Sequence, residues 1–433
     1  MIVKYIDVCE KTKHTKAFDL AAKIYSLDND LDNDLDTKHH FECVATIELS
    51  LDRSNENIDL FKMDIENIPS FDFLFSTLPC PPIAILEKII KIICYHKPRH
   101  ILLETPHNIV SLENGDFMTR LKDIFDKIGY SMAYKKMNAQ DFGVPQSRER
   151  VYIACVNSGL SPLRNRNIPF KFDAATSYAK KCVPKVVKDI LDHDEEVKNH
   201  KGFKPDFIEK IVKLHQQRSV LGYKLGDKRG GDKNIHSWDL DPTIGIEEKT
   251  LMNLIITQRR KKHWAKKKDV PWTDGLPLTK EDIMTFYPHR RLEEMLTTLT
   301  QKNYLRREKC KVSVNGRRVY KEDSPEGYNI CKGKLSFEIQ RILDPESPCP
   351  TLVPTDAHKL AVLYQTNKER ERERDKEIGN NTIIRPLNTK ELKRIAGCPE
   401  DFNFPDKVNP YEFFGHMTCP PVIVGILHAF FTT

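Results

Sequence analysis

The sequence predicts an α/β fold, a doubly wound and mostly parallel sheet that carries a second, smaller and irregular domain. Two observations predict it. Short apolar runs alternate with helically spaced ones over the first part of the chain, the rhythm of βαβ units. That rhythm fades beyond about Pro184 and returns near Ile383, so the sheet domain is interrupted and then resumed.

Taken in order, Ile2 to Val8 is the first strand, Val44 to Ile47 the second and Phe71 to Phe75 the third. Ala84 to Tyr95 carries Ile85, Ile89, Ile92 and Ile93 at helical spacing. His100 to Leu103 and Val151 to Val156 are further strands. Leu27 to Asp36 reads LDNDLDNDLD; it lacks the mid-loop glycine and closing glutamate of a calcium loop, and reads as a solvated insertion between the first helix and the second strand. Pro and Gly punctuate the middle, as in Gly230-Gly231 and Pro345-Glu346-Ser347-Pro348. The division is therefore 1–183, 184–382 and 383–433, the last part closing on an apolar helix, Pro421 to Phe431.

Composition excludes several classes. The chain has 433 residues, 39% hydrophobic and 30% charged, as in a soluble globular protein. No apolar run reaches the length of a membrane span and the first residues lack a secretory pattern, so the expected setting is intracellular, without a membrane. Eleven cysteines without a Cys-x-x-Cys pair argue against a disulfide framework and a thiolate zinc site, and leave reduced thiols available as nucleophiles. A net charge of +7 permits a polyanionic partner. Gln258 to Lys268, QRRKKHWAKKK, is equally a solvated helix face or a phosphate-binding surface, and Arg306-Arg307 and Arg317-Arg318 follow it. Lys368 to Glu377 alternates in sign and reads as solvated surface.

Reactive side chains fall where strands end, the edge at which open α/β sheets bind ligands. Cys80 lies in Leu78-Pro79-Cys80-Pro81-Pro82, whose prolines fix the backbone and aim the thiol. Glu104 ends the strand from His100, while Glu48 and Asp64 close earlier strand-like segments. Singly, such a cysteine is as well a small buried hydrophobe and such acids are helix caps. In Gly143-Val144-Pro145-Gln146-Ser147-Arg148-Glu149-Arg150, the side chains Gln146, Arg148 and Arg150 alternate; on an extended chain they point to one side and converge on an anion or a base. The bland alternative is a turn with a charged edge strand.

In this order the elements resemble the cytosine carbon-5 DNA methyltransferase family. Pro79-Cys80 is similar to its nucleophile motif, Leu103-Glu104 to its Glu-Asn-Val motif, and Gly143 through Arg150 to its Gly-x-Pro-Gln-x-Arg-x-Arg motif. Arg385-Pro386-Leu387, Glu391, Arg394 and Gly397-Cys398-Pro399 resemble the segment joining its two domains. Tyr411, Gly415, Pro421 and Val422 resemble its closing motif. The resemblance implies a methyltransferase-like Rossmann fold with a middle target-recognition domain, to which Leu343-Asp344-Pro345, Cys349 and Pro350-Thr351-Leu352 are also assigned. It implies S-adenosyl-L-methionine as cofactor, held by Asp7, Glu48, Asp64, Ile65, Gly415 and His416, and double-stranded DNA as partner. Cys80 would attack carbon 6 of a flipped cytosine, Glu104 would donate to ring nitrogen 3, and Gln146, Arg148 and Arg150 would hold base or phosphate. No metal is called for.

The chain departs from the family at three places. Asp7 to His14 has no glycine where the family has Phe-x-Gly-x-Gly-Gly; Thr105-Pro106 follows Glu104; and His416 stands for the usual asparagine. Beside the active DNA methyltransferase stand two other readings: an impaired DNA-binding relative, or one that works with a partner subunit, and an RNA methyltransferase. The long basic middle region argues against RNA.

Overall fold

The computed structural model describes residues 2–9, 18, 20–25, 40–48, 65–160, 170–192, 203–227, 229–271, 275–314, 317–331, 337–365, 382–404 and 408–431. Asp64, the glycine-free stretch 10–14, the acidic run Leu27 to Asp36 and the run Lys368 to Glu377 lie outside them.

Two compact units divide the chain. The first comprises 1–197, 344–358 and 387–433, the second 198–343 and 359–386. The first is built on six strands: β1 Ile2–Cys9, β2 His40–Glu48, β3 Phe73–Thr77, β4 His100–Pro106, β5 Tyr130–Asn138 and, after the two-residue β6 Gln146–Ser147, β7 Glu149–Asn157. Their order is β2-β1-β3-β4-β7-β5. β2, β1, β3 and β4 are parallel to one another, and β7 is antiparallel to both β4 and β5. The sheet is therefore mostly parallel, with one strand reversed. The link from β5 to β7 explains the reversal: it is a short turn-like segment, too short for the helical crossover a parallel return needs. β5 was not among the strands read from the sequence. Its Tyr130, Met132 and Met137 are buried, but Lys135 and Lys136 interrupt the apolar alternation.

Period-two alternation sends neighbouring residues into different cores. Tyr5, Phe73 and Leu102 face one, with the helical residues 20–25 (α1) and Ala175 of α4 Asp173–Lys181. Ile6, Leu74, Ile101 and Leu103 face the other, under α2 Ile83–His96 and α3 Asp116–Lys127. The result is three layers, helix over sheet over helix.

The second unit contains α5 Pro205–Gln217, α6 Ile246–Gln258, α7 Lys262–Lys267, α8 Lys280–Met284 and α9 Leu292–Gln301. Trp238, Trp264, Leu278, Leu296 and Leu299 sit in one of its cores. A small five-stranded sheet runs Thr382–Pro386, Leu360–Gln365, Arg341–Ile342, Lys224–Leu225, Asn234–Ile235. Lys311–Val314 and Arg317–Tyr320 form a separate antiparallel pair.

The chain returns to the first unit in α10 Thr389–Ile395, α11 Pro410–His416 and α12 Pro420–Phe431. Asn388 and Glu391 cap α10 reciprocally, and buried Glu391 also accepts from the Asp192 amide at 3.0 Å. Arg394 pairs with Asp192 at 2.5 Å, so the residues read as a joining segment tie the returning chain to the part it left. α12 supplies Val422, Ile423, Ile426 and Leu427 to the first core. A Cβ on its Gly425 would stand 2.6 Å from the Phe142 ring, so only glycine permits this helix-to-loop approach.

One placement departs from the sequence reading. Cys349 and its neighbours, expected in the recognition region away from the sheet, belong to the first unit. Cys349 and Pro350 run parallel to Gln146 and Ser147, and the Cys349 amide donates to Pro145 O at 2.8 Å. An isolated pair of residues carries no periodicity that could reveal such a pairing.

Candidate active site

The carboxyl ends of the parallel strands share one edge. Cys9 at the end of β1 is in register with Glu48 at the end of β2, and Thr77 at the end of β3 is in register with Glu104 on β4. Just past Thr77, the Leu78 amide donates to the Glu104 carbonyl at 2.7 Å, fixing the start of the loop that bears Cys80. The Cys80 thiol is free and partly buried against the α2 side of the sheet. Burial pushes this thiol up from its ordinary range. The N-terminus of α2, a few residues on, opposes this, but a helix dipole contributes only about 0.3–1 kcal/mol and fades within a turn. The resting group is the thiol.

Glu104 is 3% exposed. It lies directly opposite Tyr152, so Arg150, two residues along β7, shares its face as a diagonal neighbour. Arg150 Nε is 3.4 Å from Glu104 Oε1. Glu104 Oε2 is buried and has no hydrogen-bond partner among the described residues. Burial and the adjacent Arg148 pull the Arg150 guanidinium down from its usual range, and Glu104 acts against them. Burial, with Glu104 second, holds the Tyr152 phenol well above its ordinary range.

Gln146 does not join this group on a base. Its side chain is 1% exposed, donates to Ile395 O at 2.9 Å and accepts from Leu352 N at 3.1 Å. The expected alternation fails because β6 ends at Ser147, and Arg148 lies between β6 and β7 with its amide bonded to Gln146 O at 3.0 Å. Arg148 Nη1 donates to Gly415 O at 3.2 Å and reaches Leu352 O at 3.5 Å. Gln146 thus braces the chain, Arg148 braces α11, and Arg150 reaches the acid.

Of the residues assigned to the cofactor, Asp7 is 3% exposed on β1 opposite Thr46 and Phe75. Glu48 closes β2, and Ile65 opens the turn Ile65–Asn67 with its carbonyl 2.9 Å from His96 Nε2. Gly415 is a packing residue: a Cβ there would stand 2.7 Å from Pro354 N. His416 is exposed at the end of α11. Asp7 stands two residues before the end of β1 and Glu48 ends β2, at the edge where open α/β sheets bind ligands.

Sequence reasoning missed Cys419. It lies in Cys419-Pro420-Pro421, the same local pattern as Cys80-Pro81-Pro82. Its thiol is 2% exposed and burial pushes it up to about 11, against the pull of Arg148 and with Glu104 adding to the rise. Thr418 stands where Cys80 has Pro79, and Cys419 is also the more deeply buried of the two.

The sheet and its acid-lined edge are those of an α/β methyltransferase-type fold. Residues 31–432 match the family described as C-5 cytosine-specific DNA methylase. The chain is 33% identical over 392 residues to Type II methyltransferase M.NlaIV of Neisseria lactamica, across 85% of this chain and 84% of that one. It is 31% identical over 419 residues to Type II methyltransferase M.NgoBV of Neisseria gonorrhoeae, across 89% and 91%. A third relative, M.BanI of Aneurinibacillus aneurinilyticus, is 29% identical across 85% and 82%. The chain belongs to the C-5 cytosine-specific DNA methylase family, and is an enzyme that methylates cytosine in DNA at carbon 5. Membership implies S-adenosylmethionine as methyl donor.

Proposed function

We propose that the chain is a type II modification enzyme that methylates a cytosine flipped out of duplex DNA, with Cys80 as nucleophile and Glu104 as acid. The observation that carries the assignment of roles is the buried Glu104 carboxyl, one oxygen beside Arg150 and the other unpartnered among the described residues, on the strand that anchors the Cys80 loop.

Carbon 5 of cytosine is a weak nucleophile until carbon 6 is attacked. The Cys80 thiol gives its proton to solvent and its sulfur bonds to carbon 6 as the double bond between carbons 5 and 6 breaks. Protonated Glu104 donates to ring nitrogen 3, so the electron pair that would charge the ring rests at carbon 5. Arg150 holds Glu104 in place, and Arg148 keeps α11 closed on the site by gripping Gly415 O. S-adenosylmethionine, when bound, supplies the methyl group, with Glu48 and Asp7 as the candidates to hold it. Loss of the carbon-5 proton to solvent then expels the Cys80 thiolate, and ring nitrogen 3 returns its proton to Glu104, which restores the aromatic ring and the acid. The target base must leave the stack for Cys80 to reach it.

Bisulfite sequencing of DNA from cells expressing the chain tests the activity and reads the site. Methylation at a defined sequence is expected from the wild type and none from Cys80→Ala; equal methylation by both would overturn the role of Cys80.

A further inference from the structure

The antiparallel pair Lys311–Val314 and Arg317–Tyr320 stands apart from the sheets of its unit. Among the described residues each strand pairs only with the other, and all of Arg317 to Tyr320 is exposed. Its connecting residues are Asn315-Gly316, the sequence most favoured for a two-residue hairpin loop. A two-stranded ribbon alone is marginal in water, and this one is anchored at its base. The Lys321 amide donates to Cys310 O at 2.8 Å, the Cys310 amide donates to Ser324 Oγ at 3.0 Å, and Cys310 is fully buried.

The register gives the ribbon two different faces. Lys311 is opposite Tyr320 and Ser313 opposite Arg318, so these four share one face; Val312, Val319 and Arg317 share the other. Val312 packs against the core of the unit, which turns the second face inward at the base and the first outward. On the outward face Lys311 Nζ sits 4.6 Å from the Tyr320 ring centroid. Ser313 and Arg318 are exposed beside them. Neighbouring cations are paired: Arg306 with Glu308, Arg307 with Glu326, Lys309 with Glu322 and Lys321 with Asp269. Neither Arg317 nor Arg318 has a side-chain partner among the described residues. The Lys321–Asp269 pair also joins the hairpin base to the end of the basic segment around α7.

We infer that the outward face of this hairpin reads base edges in the major groove of duplex DNA, with Arg318 and Ser313 as specificity-determining residues. The inference rests on the reading of the chain as a duplex-DNA methyltransferase. The major groove admits a two-stranded ribbon, arginine there pairs with guanine through two donors, and serine bonds either partner of a base pair. Exposed arginine without a partner among the described residues suits a polyanion, and the polar, aromatic outward face lacks the apolar core expected of a protein interface.

The test sequences the duplexes bound and methylated from a randomised library by the wild type, Arg318→Gln, Ser313→Ala and Arg317→Gln. All three substitutions are at exposed positions, and circular dichroism checks that each variant is folded. Arg318→Gln is expected to lose preference at one or two base positions, with kcat/KM at the wild-type site falling about tenfold to a hundredfold. Arg317→Gln is expected to keep every base preference. Unchanged base preference in both Arg318→Gln and Ser313→Ala, with the wild type selective, overturns the hairpin assignment alone. A wild type that selects a duplex site yet leaves it unmethylated fails the catalytic reading and leaves the hairpin assignment to be judged from the bound sequences.

Discussion

Arg150 Nε lies 3.4 Å from Glu104 Oε1, and the contact is set by strand register: Glu104 opposes Tyr152, which places Arg150 on the same face. Both side chains are largely buried, so each is expensive to leave alone. Removing one partner of such a pair costs about 3–5 kcal/mol, because the survivor keeps its desolvation cost without its compensation. Arg150→Met is therefore expected to lower the urea midpoint by that much stability, and Glu104→Gln in the same chain to recover most of it. A double variant whose loss equals the sum of the singles would show that the two do not interact.

Glu104→Gln alone tests the chemistry, assayed under conditions where the variant, which leaves Arg150 without its carboxylate, is shown to be folded. The amide keeps the shape and can hydrogen-bond nitrogen 3 but cannot transfer a proton. Methylation at saturating DNA should fall by about 10²–10⁴-fold, the range for general-acid loss, while the chain stays folded. A rate within a factor of about three of wild type would remove Glu104 from the acid role.

Cys80 should form the covalent adduct with DNA carrying 5-fluorocytosine, and Cys80→Ala should not. Because burial raises its thiol, alkylation of Cys80 by iodoacetamide should climb with pH through an inflection above that of an unperturbed cysteine, about 8.5. Cys419, in the same Cys-Pro-Pro context, should be modified far more slowly, since it is 2% exposed. An adduct mapped to Cys419 or Cys349 would sink the assignment.

The basic segment 258–268 divides once its partners are known. Arg259 is buried on Asn329, while Lys267 and Lys268 both bond the buried Asp282, at 2.6 and 2.5 Å. Lys261, Lys262 and Lys266 are exposed. Neutralising these three should flatten the salt dependence of DNA binding by as much as about 2–3 in slope, at about 0.9 per phosphate contact. Lys268→Met should instead destabilise the unit, because it uncovers a buried carboxylate. An unchanged slope in the triple variant returns the exposed lysines to solvated surface.

The fold and the reactive ends of strands were legible because both depend on local pattern. Short apolar runs marked β1, β3 and β4, helical spacing marked α2, and proline on both sides marked Cys80. What stayed hidden depends on distant partners. Gln146 looked like a ligand-binding side chain until its partners Leu352 and Ile395 were placed, some two hundred residues away in sequence. Cys349 joined the first unit through a two-residue pairing, and Gly415 resembled a cofactor residue but is needed for close contact with Pro354. Cys80 and Cys419 share the following Pro-Pro, but only Cys80 is also preceded by proline, and Cys419 is the more deeply buried.

The cofactor edge gives the last prediction. Glu48 closes β2 in register with Cys9, beside the strand that carries buried Asp7. With Glu48 proposed to accept from the ribose hydroxyls, losing one or two such bonds costs about 1–3 kcal/mol, roughly ten- to a hundredfold in affinity. Glu48→Ala should weaken S-adenosylmethionine binding by that factor in calorimetry, while Cys80→Ala leaves it unchanged. The wild type itself should bind weakly, because Glu10, Lys11 and Thr12 replace glycines where the family brings its backbone against the donor. Addition of duplex DNA should tighten it. The two effects are separable: wild-type weakness belongs to the turn, and the further loss in Glu48→Ala belongs to the strand edge. Binding by Glu48→Ala equal to wild type would move the ribose contact elsewhere. No binding by the wild type with or without DNA, while DNA itself binds, would mean that this chain does not methylate alone.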